Sequence, residues 1–382
     1  MAVRPLLVMG TRPEAIKLAP LLHACAGRND IQPILCSTGQ HREMLAQVVD
    51  YFGMSIDIDL DLMQQNQSLS GLTARCLEAL DQTFVQQQPD CVVAQGDTVT
   101  VMAAALAAFF RRIPFVHVEA GLRTGNLSSP WPEELNRRVA GLVTAVHCAP
   151  TPRAAQNLLE EGVPAHQVLV TGNTVVDALL WAVRRERLRN KDWRAQHADL
   201  GDRPMVLITG HRRESFGSGF SQICEAIRLL AGKFPDHEFV YPVHLNPNVQ
   251  EPVHRLLGDL ANVHLLRPAA YPEFVWLMDR CTLILTDSGG VQEEAPSLRK
   301  PVLVMRDTTE RPEAVESGAS ELVGTSVATV VDRVSLLLTD ADEYARRQLQ
   351  QNPYGDGHAA ERIVEAVVSR CWEAPNSIRR AA

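Results

Sequence analysis

The stretch PLLVMGTRPEAIKLAPLLHACA, from Pro5 to Ala26, joins a short apolar run to an amphipathic segment through a turn at Gly10. A run of five or six apolar residues without polar alternation is typical of a strand buried on both faces of a parallel sheet. The TRPE that follows places Pro13 where the first turn of a helix tolerates proline. The stretch therefore predicts one strand–turn–helix unit.

The same unit recurs along the chain. Further apolar runs are IQPILCSTG, CVVAQGD, IPFVHVEAG, AVHCAP and QVLVTGN in the first half, and PMVLITGH, HEFVYPVH, VHLLRP, CTLILTD and PVLVMRD in the second. Amphipathic stretches stand between the runs, and the charged segment of residues 181–204 separates the two series. The pattern predicts an α/β protein of two Rossmann-like domains facing each other across a cleft. We place the first domain at residues 1–180, the second at 200–357, and a C-terminal helix at about 358–374 that packs back on the first domain.

Size and composition restrict the function classes. A chain of 382 residues is long enough for about two domains, and its hydrophobic and charged contents of 46% and 21% are ordinary for a soluble globular protein. The N-terminus has no signal-peptide pattern, and no apolar run approaches the roughly 18 residues of a membrane span. The net charge of −8 argues against nucleic-acid binding. Eight scattered cysteines and twelve histidines show no metal-ligand spacing, which favours a reducing cytoplasm and no metal cofactor.

Polar residues follow almost every apolar run. In open α/β sheets, ligands bind outside the carboxyl ends of the strands, so these residues are the candidates for a binding site. They are Thr11, Arg12, Glu14, Gln95, Gly96, Asp97, Glu119, His211, Arg212, Arg213, His244, Asp287, Ser288, Gly289, Arg306 and Asp307. Any one of them could merely end a strand or cap a helix. So many at one predicted edge favour a ligand crevice.

The stretch DSGGVQEEAP, from Asp287 to Pro296, indicates a phosphate site. Gly289 and Gly290 let the backbone approach a ligand, and the helix that follows presents free N–H groups to a phosphate. Glu294 stands about one turn into that helix, where a carboxylate can accept hydrogen bonds from a ribose diol. Glycines that only form a tight turn are the alternative.

Other strand exits carry cations and acids. In TRPEAIK, Arg12 and Lys17 could contact a diphosphate or simply start a solvated helix, and the absence of GxGxxG disfavours an NAD site. In HRRESFG, His211 could hold or protonate a leaving diphosphate. In PEELNRR, Glu133 and Arg137 stand i,i+4 on one helix face, as an ion pair or as a catalytic acid with its partner.

A series of motifs in a fixed order carries a resemblance that no single motif would carry. The motifs are TRPEAIK, STGQHREML, QGDT, HVEAGLRTGN, PEELNR, TGHRRESFG, PVHLNP, LTDSGGVQEEAPSL and VMRDTTERPEA. From about residue 5 to 370 the chain resembles the non-hydrolysing UDP-N-acetylglucosamine 2-epimerases of bacteria. The resemblance implies the glycosyltransferase-B fold and the reversible conversion of UDP-N-acetylglucosamine to UDP-N-acetylmannosamine, with UDP eliminated and re-added through a 2-acetamidoglucal. It also implies a cytoplasmic homodimer that needs neither NAD nor a metal and supplies N-acetylmannosamine units for cell-surface polysaccharide.

The motif positions imply three groups of site residues. The catalytic group is Asp97, Glu119, Glu133, His211, Lys17 and Arg137. The group that binds the UDP-sugar is Arg12, Phe274, Ser288, Gly289, Gly290, Glu294 and Arg311, together with Lys17, Asp97, Glu119 and His211. The group that binds a second UDP-N-acetylglucosamine as an allosteric activator is Gln40, Glu43, Glu134, Arg212 and His244. The motifs do not say which carboxylate removes the proton and which returns it.

Three other functions fit part of the pattern. A retaining glycosyltransferase of the same fold would also use a Glu294-type pocket, but it does not require three acids at strand exits. A hydrolysing UDP-N-acetylglucosamine 2-epimerase would release UDP and free N-acetylmannosamine. A non-catalytic nucleotide-sugar sensor has no need of Asp97, Glu119 and Glu133 together.

Overall fold

The structure, a computed structural model, describes residues 2–39, 42–64, 67–212, 216–348 and 351–370. The chain divides into two compact units, which we call unit 1 and unit 2. Unit 1 comprises Met1–Ala178 and Tyr354–Ala382, and unit 2 comprises Leu179–Pro353. Each unit is built on one parallel sheet with helices between the strands, so the predicted fold class of two Rossmann-like domains is confirmed.

The sheet of unit 1 has seven parallel strands. They are β1 Pro5–Met9, β2 Ile34–Ser37, β3 Ile58–Asp59, β4 Cys91–Gln95, β5 Phe115–Val118, β6 Val146–Ala149 and β7 Val168–Val170. Their spatial order is β3-β2-β1-β4-β5-β6-β7. Strands β1, β2, β4, β5 and β6 are buried throughout, as expected for strands covered on both faces. No apolar run predicts β3, because this two-residue edge strand is only partly buried.

The first seven helices alternate with these strands. They are α1 Arg12–Cys25, α2 Arg42–Tyr51, α3 Leu69–Gln87, α4 Val99–Phe110, α5 Glu133–Val143, α6 Pro152–Glu160 and α7 Thr174–Leu188. A 3-10 turn, Ala165–Gln167, precedes β7. Helix α4 is rich in alanine and almost wholly buried, because its small side chains allow close packing against α3 and α5. The division between the two units falls within α7.

The start of α1 illustrates how the sequence sets these junctions. Thr11 is the N-cap and a proline occupies the first turn, where no backbone donor is needed. Glu14 reaches back to accept hydrogen bonds from the backbone N–H groups of Gly10 at 2.8 Å and Thr11 at 2.7 Å. This capping box fixes the chain direction directly after β1.

The sheet of unit 2 has six parallel strands. They are β8 Met205–Thr209, β9 Glu238–Pro242, β10 Val263–Leu266, β11 Leu283–Thr286, β12 Val302–Val304 and β13 Ser320–Leu322. Their spatial order is β10-β9-β8-β11-β12-β13. The edge strand β13 is short and partly exposed, and the apolar pattern does not predict it. The core of this unit lies around β8, β9 and β11 and is closed by α9 Ser218–Lys233, with side chains such as Phe220 and Tyr241 fully buried.

The remaining helices complete the two units. They are α8 Asn190–Gln196, α10 Pro247–Leu257, α11 Tyr271–Arg280, α12 Gly289–Glu294, α13 Pro312–Glu316, α14 Val327–Thr339, α15 Ala341–Arg347 and α16 Ala359–Arg370. Helix α16 returns to unit 1, where it packs against α1 and where the Asp177 carboxylate accepts a hydrogen bond from the Ala360 backbone N–H at 2.8 Å. No helix within the described ranges is long and apolar enough to span a membrane.

Both sheets reverse their strand order once. In unit 1 the chain runs outward from β1 to β3 and then returns to place β4 beside β1. In unit 2 the same reversal places β11 beside β8. The carboxyl ends of such a strand pair diverge into connections on opposite sides, which leaves a crevice where ligands bind in open α/β sheets.

Candidate active site

The crevice of unit 1 gathers side chains from the ends of three adjacent strands. Lys17 comes from α1, which follows β1, while Asp97 follows β4 and Glu119 follows β5. The charges of Glu119 and Lys17 both act on the Asp97 carboxyl, so the three groups belong to one electrostatic cluster. Arg137 from α5 joins it through an ion pair with Asp97. The structure thus brings together four residues that the motifs had named as catalytic.

Glu119 is the most constrained member of this cluster. Its backbone has φ +66°, in the left-handed region that non-glycine residues adopt at a cost of about 1–2 kcal/mol. Its carboxylate accepts hydrogen bonds from Lys17 Nζ at 2.5 Å, from Asn173 Nδ2 at 2.9 Å and from Gln95 Nε2. The side chain is only 7% exposed.

Asp97 is held by charge as well as by position. Its carboxylate pairs with Arg137, and its backbone carbonyl accepts a hydrogen bond from Asn136 Nδ2 at 2.9 Å. Burial raises the pKa of the Asp97 carboxyl above its ordinary value, the Arg137 charge opposes this rise, and the Glu119 charge adds to it. The side chain nevertheless keeps 28% of its surface accessible, so it can meet a ligand.

The two neighbouring glutamates of PEELNRR have different surroundings. Glu134 is fully buried, lies 3.3 Å from Arg137 Nη1, and accepts a hydrogen bond from the Thr124 backbone N–H at 3.1 Å. Glu133 is half-buried and makes no side-chain hydrogen bond or ion pair with the described residues. The helical ion pair of Arg137 is therefore i,i+3 with Glu134 and not i,i+4 with Glu133, so of the two interpretations of that spacing the ion pair is not the one formed.

A buried histidine holds the backbone next to Asp97. His117 on β5 is fully buried, and burial lowers its pKa to about 4. Its Nε2 lies 2.7 Å from the Gly96 carbonyl oxygen, which can only accept, so Nε2 carries the hydrogen. The neutral ring thereby fixes the peptide just before Asp97.

Glu14, a candidate at the first strand exit, has a structural role. It is 2% exposed, and besides its two backbone donors it accepts a hydrogen bond from Thr98 Oγ1 at 2.5 Å. Burial raises the pKa of this carboxyl, and the hydrogen bonds act in the opposite direction. Glu14 therefore ties the exit of β1 to the start of α4.

In unit 2, an aspartate joins the two strand exits of the crevice. Asp287 follows β11 and is fully buried, and its Oδ2 accepts hydrogen bonds from the backbone N–H groups of His211 at 2.7 Å and Arg212 at 2.8 Å. The His211 ring lies 3.5 Å from Asp287 Oδ1, is 45% exposed, and stacks on His244 with ring centroids 5.4 Å apart. Nδ1 of His244 accepts a hydrogen bond from the Asn246 backbone N–H.

The segment after Asp287 offers groups that could meet an anion. Ser288 is the N-cap of α12, but its hydroxyl makes no capping hydrogen bond. A Cβ atom at position 289 would lie only 3.2 Å from Glu310 Oε1. Glycine at this position therefore leaves the space beside Glu310 open. Glu294 is 7% exposed at the last residue of α12.

Arginines surround Glu310 on the same edge of the sheet. Glu310 accepts hydrogen bonds from Arg212 at 3.0 Å and from Arg306 at 2.8 Å. Burial raises the pKa of Glu310, but the charges of Arg311 and Arg212 and the Arg306 hydrogen bond lower it to about 2 overall. Arg311 pairs with buried Glu293. The network therefore holds its guanidinium groups in fixed directions.

The other named candidates are spread over both units. Arg12 is the first residue of α1 and Phe274 lies on α11, both half-buried. Gln40 lies outside the described residues, and Glu43 lies in α2 with its side chain outside them. The described residues contain no group of three or more His, Cys, Asp or Glu side chains that could hold a metal ion.

Several supporting residues were not recognised from the sequence. Asn173 and Asn136 each donate a hydrogen bond to a named candidate residue, and His117 fixes the peptide just before Asp97. Asn173 stands in TGN, at the end of an apolar run, so the strand-exit criterion could have included it. Nothing in the sequence distinguishes Asn136 on a helix from a solvated residue.

The profile of the UDP-N-acetylglucosamine 2-epimerase family matches residues 23–368 of the chain. The chain belongs to this family. A UDP-N-acetylglucosamine 2-epimerase of Yersinia pestis is 53% identical over 370 residues, which cover 96% of this chain and 98% of that protein. The resemblance carried by the motifs is thereby confirmed.

Solved structures of family members have the same fold. The UDP-GlcNAc 2-epimerase of Neisseria meningitidis, solved bound to UDP-GlcNAc, has a TM-score of 0.90 and 46% identity, covering 96% of this chain and 100% of that chain. MnaA of S. aureus, solved with UDP, has a TM-score of 0.87 and 39% identity, with 96% of each chain covered.

Proposed function

We propose that this chain is a non-hydrolysing epimerase that converts UDP-N-acetylglucosamine to UDP-N-acetylmannosamine reversibly, by eliminating and re-adding UDP. The observation that carries the proposal is the cluster in unit 1, where Asp97 and Glu119 share one environment with Lys17 and Arg137. Paired carboxylates with countercharges serve proton transfer, whereas binding alone does not call for them.

The chemistry explains why two proton-transfer groups are needed. The C2 proton of the sugar is not next to a ring carbonyl, so a base cannot remove it by forming an enolate. In an elimination, the bond from C1 to the UDP oxygen breaks with its electron pair as a carboxylate takes the C2 proton. The products are 2-acetamidoglucal and UDP. In the return step an acid protonates C2 on the opposite face, and a UDP oxygen bonds to C1.

This route sets the expected cofactors. The net reaction returns one proton to C2 and transfers no electrons, so it requires no NAD. The charge of the departing diphosphate can be balanced by arginine and lysine side chains, so we propose that the reaction requires no metal ion.

Asp97, Glu119 and Glu133 are the acids of this proposal. A raised pKa makes the Asp97 carboxyl a stronger base and keeps its protonated form available, and Arg137 limits the rise. Glu119 is kept in one orientation by its three donors. Glu133 enters by resemblance, and its half-buried side chain, which has no partner among the described residues, supports a direct role on the substrate.

Unit 2 supplies the contacts to UDP in this proposal. The Ser288 hydroxyl is free to donate to a phosphate, the Gly289 and Gly290 segment allows close approach, and Arg311 contributes charge. Glu294 accepts from the ribose hydroxyls. Phe274, Arg12 and Lys17 are assigned to UDP-sugar binding by their motif positions. His211 would then hold or protonate the departing diphosphate, because its ring is exposed beside Asp287.

An activator site belongs to the same proposal. We assign it a second molecule of UDP-N-acetylglucosamine. By resemblance its residues are Gln40, Glu43, Glu134, Arg212 and His244. The exposed His244 ring and the half-buried Arg212 support such a contact in unit 2, whereas the complete burial of Glu134 restricts that residue to an indirect part.

A homodimer is the expected assembly. Phe109 and Phe110 at the end of α4, and Leu142 on the adjacent α5, are 57%, 70% and 86% exposed. Large apolar side chains grouped on one surface are typical of a subunit interface. We further propose that the enzyme acts in the cytoplasm and supplies N-acetylmannosamine units for cell-surface polysaccharide.

Incubation with UDP-N-acetylglucosamine alone tests the activity. We expect UDP-N-acetylmannosamine to form without accumulation of free UDP, and we expect deuterium from D₂O to enter at C2 during turnover, followed by proton NMR. A retaining transferase without acceptor would form no UDP-N-acetylmannosamine. A hydrolysing enzyme would release UDP and free N-acetylmannosamine in step, and either result would refute the proposal.

A further inference from the structure

The carboxylate of Glu119 is fixed by three side chains that come from three different parts of unit 1. Lys17 lies on α1, Gln95 is the last residue of β4, and Asn173 follows β7. Lys17 and Asn173 donate to Oε1, while Gln95 donates to Oε2. Lys17 supplies charge, but the two amides are neutral, so their contribution is orientation.

We propose that Gln95 and Asn173 are positioning residues, which orient the Glu119 carboxylate for proton transfer without touching the substrate. This inference rests on the function proposed above. Glu119 has a left-handed backbone, which directs its side chain away from the course an extended strand would give it. The two amides then set the rotation of its carboxylate, and a fixed carboxylate can meet the C2 proton in one geometry.

Asn173 is itself held at both ends of its amide. Its Oδ1 accepts a hydrogen bond from the Val175 backbone N–H at 3.1 Å, so Nδ2 is the end left for Glu119. Its backbone N–H donates to the Tyr354 carbonyl at 2.7 Å, where the chain returns to unit 1. The segment before α16 therefore helps to place the asparagine.

Gln95 is equally confined. It is 3% exposed, and its Cα pairs in register with Val118, the residue before Glu119, on the neighbouring strand. The amide group of its side chain therefore reaches one residue along and across the sheet to the carboxylate. A buried amide in this position can donate to Glu119 without exposing either group to water.

Loss of a hydrogen-bond donor should also change the pH at which Glu119 ionises. Hydrogen bonds to a carboxylate favour its charged form, so removing one moves its titration to higher pH. Among the described residues, the other charged and titratable groups around it are Lys17 on α1, Asp97 after β4, His117 on β5 and Arg137 on α5. These stay in place in the variants below, but each variant adds a carboxyl group beside Glu119, and this new charge also favours the protonated form of Glu119. Both effects move the limb of the pH–rate profile that reports Glu119 and its coupled neighbour Asp97 to higher pH.

The decisive variant is Asn173→Asp. The aspartate keeps an acceptor for the Val175 N–H, as an N-cap should, but loses the donor to Glu119. We expect kcat to fall about 100-fold, KM to change less than about threefold, and the Glu119 limb to rise by about one pH unit. Gln95→Glu should act in the same direction. Asn126→Asp is the matched control, since exposed Asn126 uses only its Oδ1, as acceptor from the Ser128 N–H.

The outcomes separate this inference from the function on which it rests. If Asn173→Asp and Gln95→Glu keep wild-type kcat and pH profile while the wild type epimerises, the positioning role is wrong and Asn173 is only a helix cap. If kcat falls but the melting temperature falls with it and the pH profile does not move, the role is structural and the inference is equally wrong. A wild type without epimerase activity refutes the proposed function itself.

Discussion

An aspartate follows the second strand of the crevice in both units, yet the two aspartates do different things. Asp97 in unit 1 pairs with a guanidinium group and keeps 28% of its side chain accessible. Asp287 in unit 2 is fully buried and binds the backbone N–H groups of the neighbouring strand exit. The same residue type at the same topological place is thus accessible in one unit, where we propose that it reacts, and a buried structural tie in the other. The hydrogen-bond donors and charges around each aspartate account for this difference.

The two variants Asp97→Asn and Asp287→Asn test this comparison most directly. Asp97→Asn removes the carboxylate that we propose transfers a proton, but it keeps the size of the side chain and the backbone contact with Asn136. We expect epimerisation to fall at least about 1,000-fold while UDP still binds and the melting temperature stays close to wild type. NMR of the sugar anomers measures the rate, and calorimetry measures UDP binding.

Asp287→Asn should show the opposite pattern. Asparagine still offers one acceptor oxygen to the two backbone N–H groups but removes the charge. Hydrogen bonds to a charged group contribute about 1.5–3 kcal/mol each, against about 0.5–1.5 kcal/mol for neutral ones, so the melting temperature should fall. Near-normal turnover of Asp97→Asn, or an unchanged melting temperature of Asp287→Asn, would show that the two aspartates are not divided as described.

The sequence predicts most of the strands and several of the residues at their carboxyl ends. Apolar runs of four to six residues identified eleven of the thirteen strands of the described ranges, because strands buried on both faces need such runs. The two missed, β3 and β13, are short edge strands that each include a charged residue, Asp59 in β3 and Glu321 in β13, so they form no apolar run. Strand-exit residues such as Asp97 and Glu119 could be found because a parallel sheet gathers its carboxyl ends.

The partners of these residues could not be found in the same way. Asn173 is 54 residues from Glu119 in the chain, and only the sheet order places β7 near enough for contact. The helical spacing of Glu133 and Arg137 is compatible with an ion pair, but the burial of Glu134 decides which glutamate pairs. Local spacing sets which contacts are possible, while burial and long-range topology select among them.

The two glutamates of α5 give a second matched test, with a smaller expected effect. Glu133→Gln removes a carboxylate that has no partner within the described residues, so stability should not change, and we expect kcat to fall about 100-fold. Glu134→Gln removes a buried charge from Arg137, so the free energy of unfolding should fall by about 1–3 kcal/mol. Chemical denaturation and initial rates separate the two. An inactive but stable Glu134→Gln with an active Glu133→Gln would reverse the assignment.

Ser288→Ala tests unit 2 with a still smaller effect. The hydroxyl makes no capping bond to α12, so the variant should unfold at the wild-type temperature. If the hydroxyl donates to a diphosphate, its loss should weaken UDP binding about tenfold, which corresponds to about 1.4 kcal/mol. kcat should change less than KM, because the proposed contact of Ser288 is with the leaving group and not with the C2 proton. Unchanged UDP affinity would remove Ser288 from the site.

The smallest effect concerns Asp177, a second buried acid of unit 1, which unlike Asp97 makes no ion pair within the described residues. Its Oδ1 accepts from the Ala360 N–H at the start of α16, and burial raises its pKa to about 6 from 3.8. Because the folded protein holds this proton more tightly than the unfolded chain, ionisation of Asp177 lowers stability as the pH rises from about 4 to about 6, by up to about 3 kcal/mol.

Asp177→Asn should remove that dependence. At pH 4 the variant and the wild type should melt at similar temperatures, since Asp177 is then protonated in the folded protein. Towards pH 7 the variant should become the more stable of the two by a few degrees, and turnover should stay within about twofold. Thermal melts at pH 4, 5, 6 and 7 measure the difference. A difference in melting temperature that stays constant across this range would show that Asp177 does not ionise while it is buried. A loss of turnover would place Asp177 with Asp97 among the acids that we propose to react.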